Sequence, residues 1–129
     1  MKAPLIPVSW GEFFDKLTIL QIKLKNIQDK NALKNVNLEH DQLLIIYNGN
    51  FLKDTNAKIL LSDLKKINEK LWDIEDKIRD KERKRKFDKE FIELARKVYI
   101  TNDQRSRIKR NINEIFGSEI IEEKSYEEY

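Results

Sequence analysis

Residues 60–79 read LLSDLKKINEKLWDIEDKIR. Leu60, Leu64, Ile67, Leu71, Ile74 and Ile78 recur at alternating spacings of four and three, with mostly charged or polar residues between them. That is the pattern of a heptad seam on a long helix. Asp54-Thr55-Asn56 supplies side chains able to cap its start. The seam stops where Lys81 and Arg85 would come next, so Lys81–Lys86 is expected to project into solvent near a helix end.

The chain on the far side of that basic stretch resumes the same logic. Asp88 is placed to cap a further helix whose positions 91, 95, 98, 102, 105, 109, 112 and 116 share a face. Gly117 stands where a helix ends in a left-handed residue. Upstream, Ser9-Trp10-Gly11-Glu12 fits a capping box, with Glu12 reaching back to the cap. Trp10, Phe13, Phe14, Leu17, Leu20, Leu24 and Ile27 then form an apolar stripe on a helix expected to run to about Asp29. Leu33, Val36, His40, Leu43, Leu44 and Tyr47 mark another helix, ended by Asn48-Gly49-Asn50. The reading is an all-α small helical bundle of about four helices, the third and fourth forming a long antiparallel hairpin. It is one domain over 1–129, with an extended lead-in at 1–8 that holds both prolines and an acidic tail at 118–129.

Composition agrees. The 129 residues are 40% hydrophobic, enough for one core, and 38% charged, against about 25% in ordinary globular domains. Three glycines and two prolines are too few turn-formers for many short strands. With no cysteine there are no disulfides or thiolate metal sites, and a single histidine, His40, excludes paired-histidine chemistry. No apolar run approaches the ~18 residues of a membrane span, and MKAPLIPVSW lacks a signal-peptide core, so a cytoplasmic protein is expected.

The net charge of +3 hides an uneven distribution. Lys77–Arg110 holds fourteen basic and six acidic residues, a net of +8, whereas Asn111–Tyr129 holds one basic and six acidic, a net of −5. Such halves can neutralise one another or leave a patch for an anionic partner.

Candidate site residues come from breaks in the apolar faces. Asn102 and Arg105 interrupt the fourth helix's stripe, and a guanidinium turned inward must meet a carboxylate, a cavity or an anionic ligand. Thr101-Asn102-Asp103-Gln104 can also be read as a cap that splits this helix. On the third helix, Leu61, Asn68, Trp72, Glu75 and Arg79 form a second stripe, with Asp73 and Asp76 nearby. Lys16 and Lys23, seven apart on the first helix, could flank one anion. Together with Arg79, Arg96 and Arg105 they would hold an anionic or phosphorylated metabolite, while Asn68, Tyr99 and Asn102 read its hydroxyls. Asp15 or Asp76 could serve as a base if chemistry occurs. Glu12 with Asp15 has the i,i+3 spacing of some helical Mg²⁺ sites, but Glu12 already has a capping role, so no metal or other cofactor is assigned. There is no glycine-rich phosphate loop, nucleophile elbow or zinc spacing. Enzyme status stays open.

Several segments carry a resemblance: Pro7–Glu12 (PVSWGE), Asp15–Leu20 (DKLTIL), Leu71–Asp80 (LWDIEDKIRD), Phe91–Arg96 (FIELAR), Thr101–Asp103 (TND) and Glu122–Tyr126 (EEKSY). The chain resembles a family of small bacterial and phage proteins known as a domain of unknown function, departing mainly over Asn31–Thr55. Its members occur beside glycosyltransferase and surface-polysaccharide genes, which implies a link to sugar-nucleotide or polysaccharide assembly. The resemblance brings no activity or site residue. The expected function is therefore binding of an anionic metabolite, such as a nucleotide-sugar, in a cleft between the first, third and fourth helices. Two other readings stand beside it. One is an interaction module whose third-helix seam pairs with another copy or with a glycosyltransferase. The other is nucleic-acid binding through residues 77–110, disfavoured because Lys84-Arg85-Lys86 has only Phe87 beside it for base stacking.

Overall fold

The computed structural model describes all of residues 1–129 and consists of four helices: α1 (Trp10–Asn26), α2 (Lys30–Phe51), α3 (Thr55–Arg83) and α4 (Lys89–Ile115). Each helix is started by a side-chain cap of the same kind. Ser9, Asp29, Asp54 and Asp88 accept from the backbone N–H groups of Glu12, Ala32, Ala57 and Phe91 at 2.8–3.1 Å. Caps of this sort are worth about 1 kcal/mol each. Asp29 is thus the start of α2, and α1 stops at Asn26, short of where its stripe suggested. Asn48-Gly49-Asn50 does not end α2, which runs on to Phe51 because that ring belongs to the core.

Both ends of the hairpin's second helix show how the chain stops and turns. After α3, the Arg85 N–H donates to the Glu82 carbonyl at 3.1 Å and the Lys86 N–H to the Lys81 carbonyl at 3.0 Å. This is a Schellman turn, with Arg85 held at φ 55° where glycine is the usual occupant. After α4 the same turn recurs with Gly117 at φ 59°. Lys84 reaches Asp80 at the tip, while Lys81 is drawn in by Asp88 and Glu90.

α1 packs against all three other helices, and α3 lies along α4. One end of the bundle is an aromatic cluster. Phe14 is fully buried, its ring 5.2–6.2 Å from those of Phe13, Tyr47, Phe51 and Phe116, and Trp10 meets Phe13 and Phe51 edge-on. The third-helix seam is partly buried inside the chain. Ala57, Leu60, Leu64, Asn68 and Ile74 are buried, whereas Ile67, Leu71 and Ile78 are only half-buried. The buried row advances by four residues from 60 to 64 to 68 because α3 must face α1 as well as α4.

α4 is continuous through Thr101, which is itself buried, so the helix is not split there. Gly11 lets α1 and α4 touch. A Cβ at that position would collide with the Lys109 carbonyl oxygen, and the Gly11 N–H donates to the Asn113 side-chain oxygen at 2.6 Å. No helix is long and apolar enough to cross a membrane.

Candidate functional site

α1 is buried along two rows rather than one. Besides its apolar stripe, Gly11, Asp15, Thr18 and Ile22 recur at spacings of four, three and four, and all are buried. Asp15 is 1% exposed. It therefore needs partners, and three helices supply them. Asn68 of α3 donates to its Oδ1 at 2.8 Å, and Arg105 of α4 donates from Nε to Oδ1 at 2.9 Å and from the terminal nitrogen to Oδ2. This is a two-pronged guanidinium–carboxylate pair. Thr18 donates its hydroxyl to the Asp15 carbonyl at 2.8 Å and accepts from Asn68 at 2.9 Å. Arg105 spends its remaining nitrogen on the Asn102 side-chain oxygen at 3.3 Å.

Lys109, one turn further along α4, joins the same network. It lies 2.8 Å from Glu12, 3.0 Å from Glu122 and 3.9 Å from Asp15. Burial pulls its ammonium pKa down, but the bonds to Glu12 and Glu122 outweigh this and hold it above the usual lysine value. The bonds to Asp15 likewise raise Arg105, against a smaller opposing effect of burial. Lys109 holds Glu122 below the usual glutamate range. Glu12 thus turns to Lys109 instead of back to the cap, so the box at Ser9 is one-sided. Glu12 and Asp15 are each committed to a cation, and no three His, Asp or Glu side chains gather as a metal cluster. Asp15, bound on both oxygens, is not placed to act as a base.

Beside this network, between α1, α3 and α4, lies a cleft of about 430 Å³. α1 provides an apolar wall of Ile19 and Ile22. Trp72, Asn68, Glu75, Asp76 and Arg79 come from α3, and Asn102 and Arg105 from α4. Arg79 is 71% exposed and held only by an i,i+4 pair with Glu75 at 3.2 Å, an interaction worth little in water.

Of the residues singled out from sequence, Asn68, Asp76, Arg79, Asn102 and Arg105 come together at this cleft. The other four lie elsewhere. Lys16 faces α2 and pairs with Glu39 at 2.7 Å, because its side of α1 turns away from α3. Lys23 is half-buried on α1 and is not part of the cleft lining. Arg96 is exposed on α4. Tyr99 stacks edge-on against Tyr129, 5.3 Å between centroids, in a separate cleft of about 880 Å³ between α4 and the tail.

A family model described as a family of unknown function (DUF6165) matches residues 5–129. The chain belongs to that family. No curated protein and no solved structure matches it. The match in this DUF6165 chain takes in the tail as well as the four helices.

The tail folds back along α4 in this DUF6165 member. Ser118 accepts from the Trp10 N–H at 3.2 Å and donates to the Ile120 carbonyl at 2.7 Å. Glu122 meets Lys109, Glu123 meets Arg110 at 3.2 Å, and the Tyr129 hydroxyl donates to Asp103. The acidic tail thereby neutralises part of the +8 segment within the same chain. Asn102 lines both the tail cleft and the Trp72 cleft, so the two adjoin. Lys109, central to the network, was absent from the sequence-derived candidates, which held Asp15 only as a possible base and Glu12 with Asp15 only as a weak metal spacing. The available signal was the small and polar row 11, 15, 18, 22.

Proposed function

We propose that this chain binds a sugar carrying an anionic group, of the sugar-phosphate or nucleotide-sugar class, in the Trp72 cleft. The observation that carries the reading is a guanidinium, Arg105, fixed by a buried carboxylate at the edge of a cleft that also holds an aromatic face. Because Asp15 neutralises Arg105, that arginine orients rather than attracts. Arg79 and Arg105 are balanced by Glu75, Asp76 and Asp15 around the cleft, which disfavours a polyanion and suits a ligand rich in hydroxyls with one charged end. Hydroxyls find acceptors in Asp76, Glu75 and Asn102, and the ring packs on Trp72. Arg79 supplies the cation, since its exposed pair with Glu75 is readily exchanged for a phosphate oxygen. The resemblance to proteins found beside glycosyltransferase and surface-polysaccharide genes supports the same class, and with it a place in the cytosol.

The test is a thermal-shift panel of nucleotide-sugars, sugar phosphates and free nucleotides, with and without Mg²⁺. A ligand at a hundred times its dissociation constant adds about 2.7 kcal/mol, a rise of several degrees for a domain of this size. Arg79→Ala should reduce the response to the phosphorylated compounds about tenfold in apparent affinity, the loss of one charge-assisted bond. No shift from any compound at millimolar concentration overturns the proposal.

A further inference from the structure

From Glu75 to Glu93 no residue is buried; the core of the α3–α4 hairpin ends at Ile74 on one helix and Leu94 on the other. Thr18 of α1 meets Asn68 of α3, and Ile22 lines the same cleft as Trp72, so α1 runs alongside α3 and ends at Asn26, level with about residue 76. Beyond that point the hairpin is a bare two-helix arm. Its tip reads Arg83-Lys84-Arg85-Lys86-Phe87-Asp88-Lys89, five cations against one carboxylate. That carboxylate is already committed, since Asp88 caps α4 and binds Lys81. Arg83 and Lys84 share Asp80. Arg85, Lys86 and Lys89 have no ion pair, and Glu82, behind them on α3, is the one acid of residues 80–90 without a partner. Phe87, 55% exposed, stands among these cations with its ring edge-on to Phe91 at 5.2 Å.

Arg85 is the residue whose presence needs a reason. It holds the left-handed position of the turn and is the only non-glycine residue of the chain with positive φ, whereas the same turn after α4 uses Gly117. A side chain in that conformation costs free energy that glycine avoids, and no carboxylate within the chain meets the Arg85 guanidinium to offset it. Backbone strain without an internal partner marks contact with something outside. The arm has no third element to close a cleft at its tip, so the tip does not enclose a small anion. Phe87 is its one exposed ring, which gives successive nucleic-acid bases no run of stacking platforms. A single apolar anchor ringed by cations suits the surface of a bilayer that bears anionic phospholipids. The ring enters the boundary between headgroups and acyl chains, and the long basic side chains reach back to the headgroups.

We propose that the hairpin tip docks this chain on anionic membrane surfaces, with Arg85, Lys86 and Lys89 meeting the headgroups and Phe87 entering the interface. The contact is peripheral, since no helix is long and apolar enough to cross a membrane. None of the four residues lines the Trp72 cleft, so the inference is independent of what that cleft binds.

Co-sedimentation of the full chain with vesicles tests it, using phosphatidylcholine alone or with about one lipid in four replaced by phosphatidylglycerol. The chain should bind only the anionic vesicles and should be released in about 1 M salt, where the screening length falls to about 3 Å. Arg85→Gly separates the contact from the fold. Its melting temperature should hold or rise, glycine being at ease in the turn, while vesicle affinity falls about fivefold, the effect of one surface cation. Arg85→Lys should bind like the parent, and Phe87→Ala should weaken binding severalfold. Lys58→Ala removes an equal charge from an exposed position of α3 about 40 Å from the tip and should change nothing. Equal binding to phosphatidylcholine alone, an equal loss in Lys58→Ala, or full affinity in Arg85→Gly overturns the proposal. A chain that ignores anionic vesicles overturns it too, and retention on DNA or RNA would then assign the tip to nucleic acid.

Discussion

Phe14 and Asp15 are neighbours in sequence and almost equally buried, yet they are held by opposite physics. Phe14 looks toward α2 and the chain after α4, into a cluster of rings whose stability grows with apolar area removed from water. Asp15 looks toward α3 and α4, where stability depends on every partner being present. An aromatic tier degrades gradually as atoms are removed. A polar tier fails when one member is lost, because its remaining charge stays buried and unpaired. That difference explains why the cleft lies beside the polar tier. There the network's oriented donors and acceptors reach the edge of an opening.

Substitutions can break the comparison in order of size. Phe14→Ala removes a fully buried ring and should cost about 4 kcal/mol in urea unfolding, the range of large core truncations. Arg105→Met should cost about 3 kcal/mol, although Arg105 itself is partly exposed, because Asp15 loses its two-pronged partner and keeps only Lys109, 3.9 Å away, as counter-charge. The two tiers part company at the second step. Adding Asp15→Leu to Arg105→Met should recover at least about 2 kcal/mol, since an apolar pair in place of a buried ion pair is near neutral. No second substitution beside Phe14→Ala should rescue it in that way. A double variant no more stable than Arg105→Met would show that the tier is not governed by charge pairing.

Smaller effects sharpen the contrast. The Tyr47 hydroxyl is the one buried side-chain polar atom without a hydrogen-bond partner, and burial, with the Asp54 carboxylate second, pushes its pKa up. Tyr47→Phe should therefore leave stability unchanged or raise it by about 1 kcal/mol. The smallest effect belongs to the tail. Lys109 holds Glu122 below the ordinary glutamate value of 4.5, so its contribution is complete above that value and is lost as pH falls through the lowered folded value. Lys109 is raised above 10.5, so its side of the pair holds until pH rises through that raised value. The stability gap between the parent and Glu122→Gln should be no more than about 1 kcal/mol, the pair being partly exposed. It should be flat between those limits and close in acid. A gap that persists in acid would mean that the tail is held by something other than this pair.

How much of this was legible in the sequence follows the same division. The helices were legible because period and caps are local: Ser9, Asp54 and Asp88 sit where such residues start helices, and Gly117 where one stops. The inward turn of Arg105 was legible from its phase on α4, and so was its need for a carboxylate, a cavity or an anionic ligand, of which the fold supplies the carboxylate. Which carboxylate was not. Asp15 lies ninety residues away, and only the approach of α1 to α4 across Gly11 brings the two together. Lys16 and Lys23 show the converse. Their shared face was correct as helical geometry, but a period does not say which neighbour a face meets, and Lys16 meets α2. Glu12 was read as a cap partner, and tertiary contact with Lys109 took it instead. Asn68 was visible as an oddity beside the seam, and its burial follows from α3 serving two neighbours.

The most direct test of the central claim uses Trp72 itself as the reporter. The chain has two tryptophans, and Trp10 packs on Phe13 and Phe51 at the aromatic end, so Trp10→Phe leaves a single fluorophore at the cleft. Titrating that variant with a nucleotide-sugar should change the Trp72 emission saturably, and Arg79→Ala in the same background should move the midpoint about tenfold higher. A Trp72 emission that stays flat through millimolar nucleotide-sugar and sugar phosphate would contradict the account.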